Sequence, residues 1–188
     1  RNDEQMSELV KSVSANGILV PVLVRPHPNG HGYEMISGHR RMNAAMVNGQ
    51  EKIQAIVREL TDDQATIIMV DSNIQRENIL PTERGFAYKM KLDAMIRQSG
   101  RPKDNGSQVG NHLKGKKSIE VLAEEERKSK NQIHRFIRLT ELIEPLRDMV
   151  DGLRSDGKKI AFNPAVELSY LSKENQQFVV KNIEGLDL

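Results

Sequence analysis

The 188-residue sequence contains no cysteine, which excludes disulfide bonds and thiolate metal sites and fits a chain that works in a reducing cytoplasm. It also contains no apolar run long enough for a transmembrane helix or a signal peptide, so we expect a soluble protein without a membrane partner. Charge of one sign is not in excess either, because 28 Lys and Arg stand against 26 Asp and Glu, a net charge of +2. Any basic surface for nucleic acid must therefore be local.

Hydrophobic periodicity in the first half of the chain predicts alternating helices and strands. Apolar residues at helical spacing over 3–16 predict a first helix. Thr61 and Gln64 have the spacing of a capping box at the start of another helix, and Pro81 suits the first turn of a helix that runs to residue 98. The other predicted elements are strands over 20–25, 33–37 and 52–60 and a helix over 38–47.

Residues 99–117 differ in composition from both sides, because glycine, proline, serine and lysine interrupt every period there. They are a predicted linker or mobile loop. After them the periodicity is helical throughout, over 118–139, 143–153, 163–171 and 172–183. The sequence thus predicts an α+β protein with a first domain over 1–98 and an all-α second domain over 118–188.

Phosphate-binding chemistry is concentrated where the second predicted strand gives way to a helix. Gly38 stands at that junction and is followed by the guanidinium groups of Arg40 and Arg41. Open backbone N–H groups at a helix start, the helix dipole and arginine forks all favour a polyanion. The alternative is a solvated helix face, with surface ion pairs to neighbours such as Glu34 or Glu59.

A second polar group stands near the end of the helix that follows. Asn73, Gln75 and Arg76 add two amides and another guanidinium group. They form either an exposed helix end that faces a ligand or simply the polar cap that precedes Pro81.

The segment 118–139 predicts a helix-turn-helix. Ser129 and Gln132 have the spacing of a capping box for its second helix, and Ile133, Phe136 and Ile137 point inward at spacings of three and four. Polar and basic residues on the other side suit base edges and phosphates. The candidate DNA contacts are Lys128, Ser129, Lys130, Asn131, Gln132, Arg135 and Arg138. The alternative is an ordinary amphipathic helix in a bundle.

The turn before this second helix has one discordant residue. Arg127 stands where a glycine is common in such turns, which indicates a divergent or degenerate DNA-binding helix-turn-helix.

The order of these runs resembles the ParB/Noc family of chromosome and plasmid partition proteins. Residues 17–24, 32–41 and 73–78 resemble that family's N-terminal domain, and residues 122–139 resemble its helix-turn-helix. The resemblance implies a small mixed-sheet, sulfiredoxin-like domain followed by a helical DNA-binding domain. It also implies a CTP-gated DNA clamp that segregates a plasmid, chromosome or mobile element. The nucleotide contacts that it implies are Gly38, His39, Arg40, Arg41, Asn73, Gln75 and Arg76.

The resemblance further implies partners and a location. We expect a centromere-like site in double-stranded DNA, self-association as a dimer, a partition ATPase and a place on the nucleoid in the bacterial cytoplasm. We also expect the sequence to be a fragment that lacks the family's C-terminal dimerisation domain.

Two positions depart from the family pattern at the phosphates. His39 and Ser72 stand where relatives usually carry carboxylates, which are the expected ligands for Mg²⁺. Either Asn73 is the metal ligand, with waters and Glu77 or Asp71 nearby, or His39 contacts phosphate directly and metal dependence is weak. We therefore expect a slow CTPase at most.

A further departure concerns the base. Val20 stands before Pro21, where relatives often have an amide, so this position offers no side-chain amide to the base.

Two other functions stay open at this point. The same domain could serve a nuclease or another phosphoryl-transfer enzyme, with His39 as acid or base. The chain could also be a helix-turn-helix transcriptional regulator without nucleotide control.

Overall fold

The first part of the chain folds around a small mixed sheet, as the family resemblance implies. The computed structural model describes residues 4–76, 78–99 and 118–185. Its elements up to residue 74 are α1 (Glu4–Asn16), β1 (Val22–Pro26), β2 (Tyr33–Ser37), α2 (His39–Val47), β3 (Ala55–Val57) and α3 (Asp62–Ile74). The sheet has the order β2-β1-β3, with β2 antiparallel and β3 parallel to β1. The predicted α+β class and mixed sheet are confirmed.

Strand β3 is shorter than the predicted strand over 52–60. Only its three residues pair with β1, and Val22 lies opposite Ala55 and Val24 opposite Val57. One further hydrogen bond closes each end, from Val22 N to Gln54 O at 3.0 Å and from Arg58 N to Val24 O at 3.0 Å. The pairing cannot start earlier because β1 itself begins at Val22, two residues later than its apolar pattern indicates.

Helices α1 and α2 pack against each other next to this sheet. Their contact buries Met6, Val13, Ala44 and Ala45, each less than 5% exposed. Burial of a side chain as large as Met6 or Val13 stabilises the fold by about 1.5–3 kcal/mol. The spacing of these residues in α1 is the one that its periodicity predicts.

Arg25 is a buried charge that the sequence patterns do not reveal. Its side chain donates to Glu34 Oε2 at 2.6 Å and to Asp62 Oδ1 at 2.7 Å, and Nη1 donates to Leu60 O at 3.2 Å. These acceptors come from β2, from the segment just before α3 and from the first residue of α3. Arg25 thus links the sheet to that helix.

The second part of the described chain contains only helical elements, as predicted. They are α4 (Pro81–Gln98), α5 (118–125), α6 (Lys130–Arg138), a short 3₁₀ turn (Leu139–Glu141), α7 (Glu144–Asp151), α8 (Phe162–Leu168) and α9 (Lys173–Glu184). No helix in the described part of the chain combines the length and the apolar run that a membrane span requires.

The chain divides into two compact units, residues 1–72 and 73–188. This division falls earlier than the predicted linker, of which residues 100–117 lie outside the described residues. The reason is α4, which packs against α6, so that it belongs to the helical unit.

Glycine permits the close approach of α4 to α6. A Cβ atom at Gly85 would lie 2.3 Å from the carbonyl oxygen of Phe136, far inside contact distance. Around this crossing, Tyr88, Leu122 and Ile133 are fully buried and form the core that α4, α5 and α6 share.

Candidate nucleotide and DNA sites

Helix α2 begins immediately after β2 at a glycine that cannot be replaced without a shift in structure. Gly38 has a φ of 110°, in the left-handed region that favours glycine. A Cβ atom there would lie 2.6 Å from Val22 Cγ1, so the helix start lies directly on β1. No side chain among the described residues caps this start. Its first N–H groups are thus arranged as in helix termini that bind anions.

The two arginines of α2 have different surroundings. Nη1 of Arg41 donates to the carbonyl oxygens of Val20 and Pro21, the latter at 2.7 Å. Arg41 therefore ties the helix to the segment that enters β1. Arg40 is half-buried, and His39 is exposed in the first turn. Glu34, one of the neighbours considered for surface ion pairs, accepts from Arg25.

The second predicted group of nucleotide contacts lies in the helical unit. Asn73 belongs to the last turn of α3, and a turn follows in which Arg76 N donates to Asn73 O at 3.2 Å. Gln75 and Arg76 are exposed. The role of these residues as nucleotide contacts stays a prediction.

His39, Ser72 and Asn73 are by themselves a poor set for Mg²⁺; of the carboxylates considered nearby, Asp71 is half-buried in α3 and Glu77 lies outside the described residues. Ser72 Oγ donates to the carbonyl of Met69 at 2.8 Å, and Asn73 offers one amide oxygen. Magnesium prefers carboxylate oxygens, and neither His39 nor Ser72 supplies one. Across residues 4–76, 78–99 and 118–185, no group of three or more His, Asp or Glu side chains could hold a metal ion.

The helix-turn-helix has the local geometry that its sequence predicts. Ser129 Oγ accepts from Gln132 N at 3.2 Å, and Gln132 Oε1 accepts from Ser129 N at 2.9 Å, so the capping box is complete. In the preceding turn, Arg127 has a φ of 51°. The position thus adopts the left-handed conformation for which glycine is common, although it carries an arginine.

Some polar side chains at the start of α6 bond to other parts of the protein, and others are exposed. Lys130 Nζ donates to Glu120 Oε1 at 2.8 Å, which ties the start of α6 to α5. Gln132 serves the capping box. Asn131 is exposed, as are the hydroxyl-bearing Ser129 and the later His134. The opposite face is anchored by Ile133, which is 0% exposed.

The two arginines of α6 reach to the two ends of α8. Nη2 of Arg135 donates to Asn163 Oδ1 at 2.6 Å, and Nε of Arg138 donates to Ser169 Oγ at 3.2 Å. Both arginines are half-buried. Sequence periodicity places them outward but cannot reveal these partners, which follow 28 and 31 residues later.

A buried polar network between α4 and the end of α5 is another feature that the sequence patterns do not reveal. Lys91 is 3% exposed and lies 2.8 Å from Glu125 Oε2 and 3.7 Å from Glu126 Oε1. The hydroxyl of Tyr88 donates to Glu126 Oε2 at 3.3 Å, and burial raises the pKa of Tyr88. The network joins α4 to the end of α5, next to the helix-turn-helix turn.

Comparisons with known proteins cover both parts of the chain. Residues 1–74 match the family model of the ParB N-terminal domain. The chromosome-partitioning protein Spo0J of Thermus thermophilus is 38% identical over 96 residues, which are 51% of this chain and 35% of that protein. The nucleoid occlusion protein of Listeria monocytogenes is 28% identical over 180 residues, 95% of this chain and 54% of that protein. The chain spans about a third to a half of the length of these relatives.

A solved structure shares the fold. It is the crystal structure of the C-terminally truncated chromosome-partitioning protein ParB from Caulobacter crescentus, complexed to the centromeric parS site. The match has a TM-score of 0.57 at 23% identity and covers 100% of this chain and 84% of that one.

Proposed function

We propose that this chain, which belongs to the ParB/Noc family, is a CTP-binding, site-specific DNA-binding protein that acts in the segregation of a chromosome, plasmid or mobile element. The observation that carries the nucleotide part is the glycine start of α2, which leaves backbone N–H groups uncapped beside Arg40. The ParB N-terminal domain over residues 1–74 supports the same conclusion.

In this proposal the triphosphate lies at the start of α2. Gly38 lets the backbone approach the phosphates closely, and Arg40 supplies a charge-assisted hydrogen bond. Arg41 holds the segment at Val20 and Pro21 in place. His39 is proposed to contact phosphate directly. Cytosine is proposed from the family, not from a base contact.

Titration calorimetry with CTP, ATP, GTP and UTP tests the nucleotide part. We expect CTP to bind most tightly and Arg40→Ala to weaken it by about 2 kcal/mol or more, since a bond to a charged group is lost. Arg58→Ala is the matched control, because Arg58 is an exposed arginine at the end of β3. Equal or absent heat for all four nucleotides would refute the proposal, whereas a preference for ATP would overturn only the choice of base.

Asn73, Gln75 and Arg76 are proposed as further nucleotide contacts. Arg76→Ala should weaken CTP binding in the same titration. If it leaves the affinity at the wild-type value, that assignment is wrong and the start of α2 acts without it.

The DNA part of the proposal assigns sequence recognition to α6. Asn131 is exposed in its first turn, where a side chain can reach base edges in the major groove. Lys128 lies just before the helix and is proposed to contact a phosphate.

Selection from random duplexes, followed by binding titrations, tests this part. Asn131→Ala should relax specificity at particular base pairs by roughly 1–3 kcal/mol. Lys128→Ala should weaken binding to all sequences and flatten the salt dependence. Lys181→Ala on α9 is the control. A selection that enriches no motif would refute the base-reading role.

We propose that nucleotide occupancy, not rapid turnover, is the signal. His39 and Ser72 replace the carboxylates that would anchor Mg²⁺, so charge on the transferred phosphoryl group lacks a metal to stabilise it. Phosphate release should be slow and respond weakly to Mg²⁺. Brisk magnesium-dependent turnover, unchanged in a His39→Glu, Ser72→Glu double variant, would place the metal at other residues.

Partners of the whole protein complete the proposal. They are a centromere-like DNA site, a second copy of the protein and a partition ATPase, on the nucleoid of a bacterial cytoplasm. Light scattering of the full-length protein tests the dimer.

A further inference from the structure

Arg138 is held at one edge and one face of its guanidinium group, although sequence periodicity places it on the outward side of α6. Its Nε donates to Ser169 Oγ at 3.2 Å, and its Nη2 donates to the backbone carbonyl of Ser169. Its guanidinium carbon lies 4.1 Å from the centroid of the Tyr170 ring. This geometry combines a stacked contact with two hydrogen bonds on one edge of the guanidinium group.

Arg135 repeats the arrangement at the other end of α8. Its Nη2 donates to Asn163 Oδ1 at 2.6 Å, and its guanidinium carbon lies 5.3 Å from the centroid of the Phe162 ring. Each arginine thus has an aromatic ring from the segment 162–170, together with one oxygen acceptor for Arg135 and two for Arg138. That segment sets the position of both.

The exposure of Tyr170 indicates what its ring does. Tyr170 is 65% exposed, so its ring adds little to the core, whereas Phe162 also packs against the core around Leu139 and Leu146. Ser169, which precedes Tyr170, is 3% exposed and donates to Val166 O at 2.6 Å, so the backbone below the ring is anchored. The described contact of this ring is the guanidinium group of Arg138.

We propose that Tyr170 and Phe162 are positioning residues that hold Arg138 and Arg135 ready to bind DNA phosphates; this inference rests on the proposed DNA-binding function. A guanidinium group has five N–H donors, and those of Arg138 that face away from Ser169 stay available for a phosphate. A long side chain that is ordered in advance loses less conformational entropy when DNA binds.

The test uses the whole chain and a fluorescent duplex enriched by selection, with binding measured between about 50 and 200 mM salt. Arg138→Gln should reduce the slope of log affinity against log salt by about 0.9, as expected when one phosphate contact is lost. Tyr170→Leu should weaken binding about 3–10-fold with the slope unchanged, since the contact is still made but must first be ordered. Tyr170→Phe keeps the ring and should bind like the wild type.

Two comparisons separate positioning from a general structural effect. In an Arg138→Gln background, Tyr170→Leu should cause no further loss. Phe178→Leu on α9 is the matched control, because Phe178 is 68% exposed and should not affect binding. Urea unfolding of each variant measures stability independently of DNA.

Several outcomes would overturn the inference. They are wild-type affinity in Tyr170→Leu, an equal loss in the Arg138→Gln background, or an unchanged salt slope in Arg138→Gln. If the wild type binds an enriched duplex while Tyr170→Leu has no effect, only this inference fails. A wild type that binds no duplex would overturn the proposed function as well.

Discussion

Helices α2 and α6 both carry a pair of arginines, yet they begin in opposite ways. α2 follows Gly38, whose φ of 110° leaves the helix start without a side-chain cap. α6 follows Ser129, which forms a complete capping box with Gln132. A capped start has already used some of its backbone donors. In α6 the N–H of Gln132 is therefore already bonded within the cap, whereas the start of α2 has no side-chain cap.

Although the two helices begin differently, each has an arginine that donates hydrogen bonds to another segment of the chain. Arg41 donates to the carbonyls of Val20 and Pro21, and Arg138 donates to Ser169. In both units, oxygen acceptors from another segment fix a guanidinium group that periodicity alone would leave in solvent.

Replacement of the glycine at the open start should have the largest effect. Gly38→Ala places a Cβ atom 2.6 Å from Val22 Cγ1 at a φ of +110°. We expect the free energy of unfolding to fall by about 3 kcal/mol, from backbone strain and overpacking together. Gly49→Ala is the control, because its φ is +70° and no atom lies within 4 Å of the added Cβ. Urea unfolding that gives equal losses for both would contradict the role of the Val22 contact.

The packing of α4 against α6 can be disrupted by a substitution at Gly85. Alanine in place of glycine within a helix normally stabilises it by about 1 kcal/mol. At this site the Cβ atom would meet the carbonyl oxygen of Phe136 at 2.3 Å. We expect the opposite sign, a loss of about 2 kcal/mol in thermal or urea unfolding. A more stable Gly85→Ala variant would show that α4 and α6 pack less closely than the structure has them.

Removal of the cap of α6 should have a smaller effect. Ser129→Ala deletes the oxygen that accepts from Gln132 N, and we expect a loss of about 1 kcal/mol. Ser129→Gly should lower the free energy of unfolding by only a few tenths of a kcal/mol, since glycine is also favoured at helix starts. If both variants unfold at the wild-type urea concentration, the capping box does not stabilise this helix.

The smallest expected effect is a pH dependence at the far end of α6. Lys89 Nζ lies 3.2 Å from Glu141 Oε1, and this hydrogen bond holds the pKa of Glu141 below its usual range. A lowered pKa in the folded state stabilises the protein above the usual carboxyl range, and this contribution is lost as pH falls through the lowered value. Glu141→Gln should therefore flatten the acid side of a stability-against-pH curve. A curve that keeps its wild-type shape would mean that the pair contributes nothing.

Sequence patterns predicted the elements with local signals well. The capping boxes at Thr61 and Ser129 are both present, and the helix that opens at Pro81 ends at Gln98 as predicted. The shorter β3 could not be predicted, because strand length depends on where the partner strand begins. The buried charge of Arg25 depends in the same way on acceptors that come from elsewhere in the chain.

The candidate sites likewise combine features with local sequence signals and features that depend on residues distant in the chain. By itself the sequence determined the glycine before α2, the arginines after it and the capped start of α6, because each depends on neighbours within four residues. Only the tertiary structure decided that Val22 lies against Gly38 and that Tyr170 lies over Arg138. These contacts join residues that are distant in the chain, and burial of the surrounding core brings them together. No local periodicity carries that information.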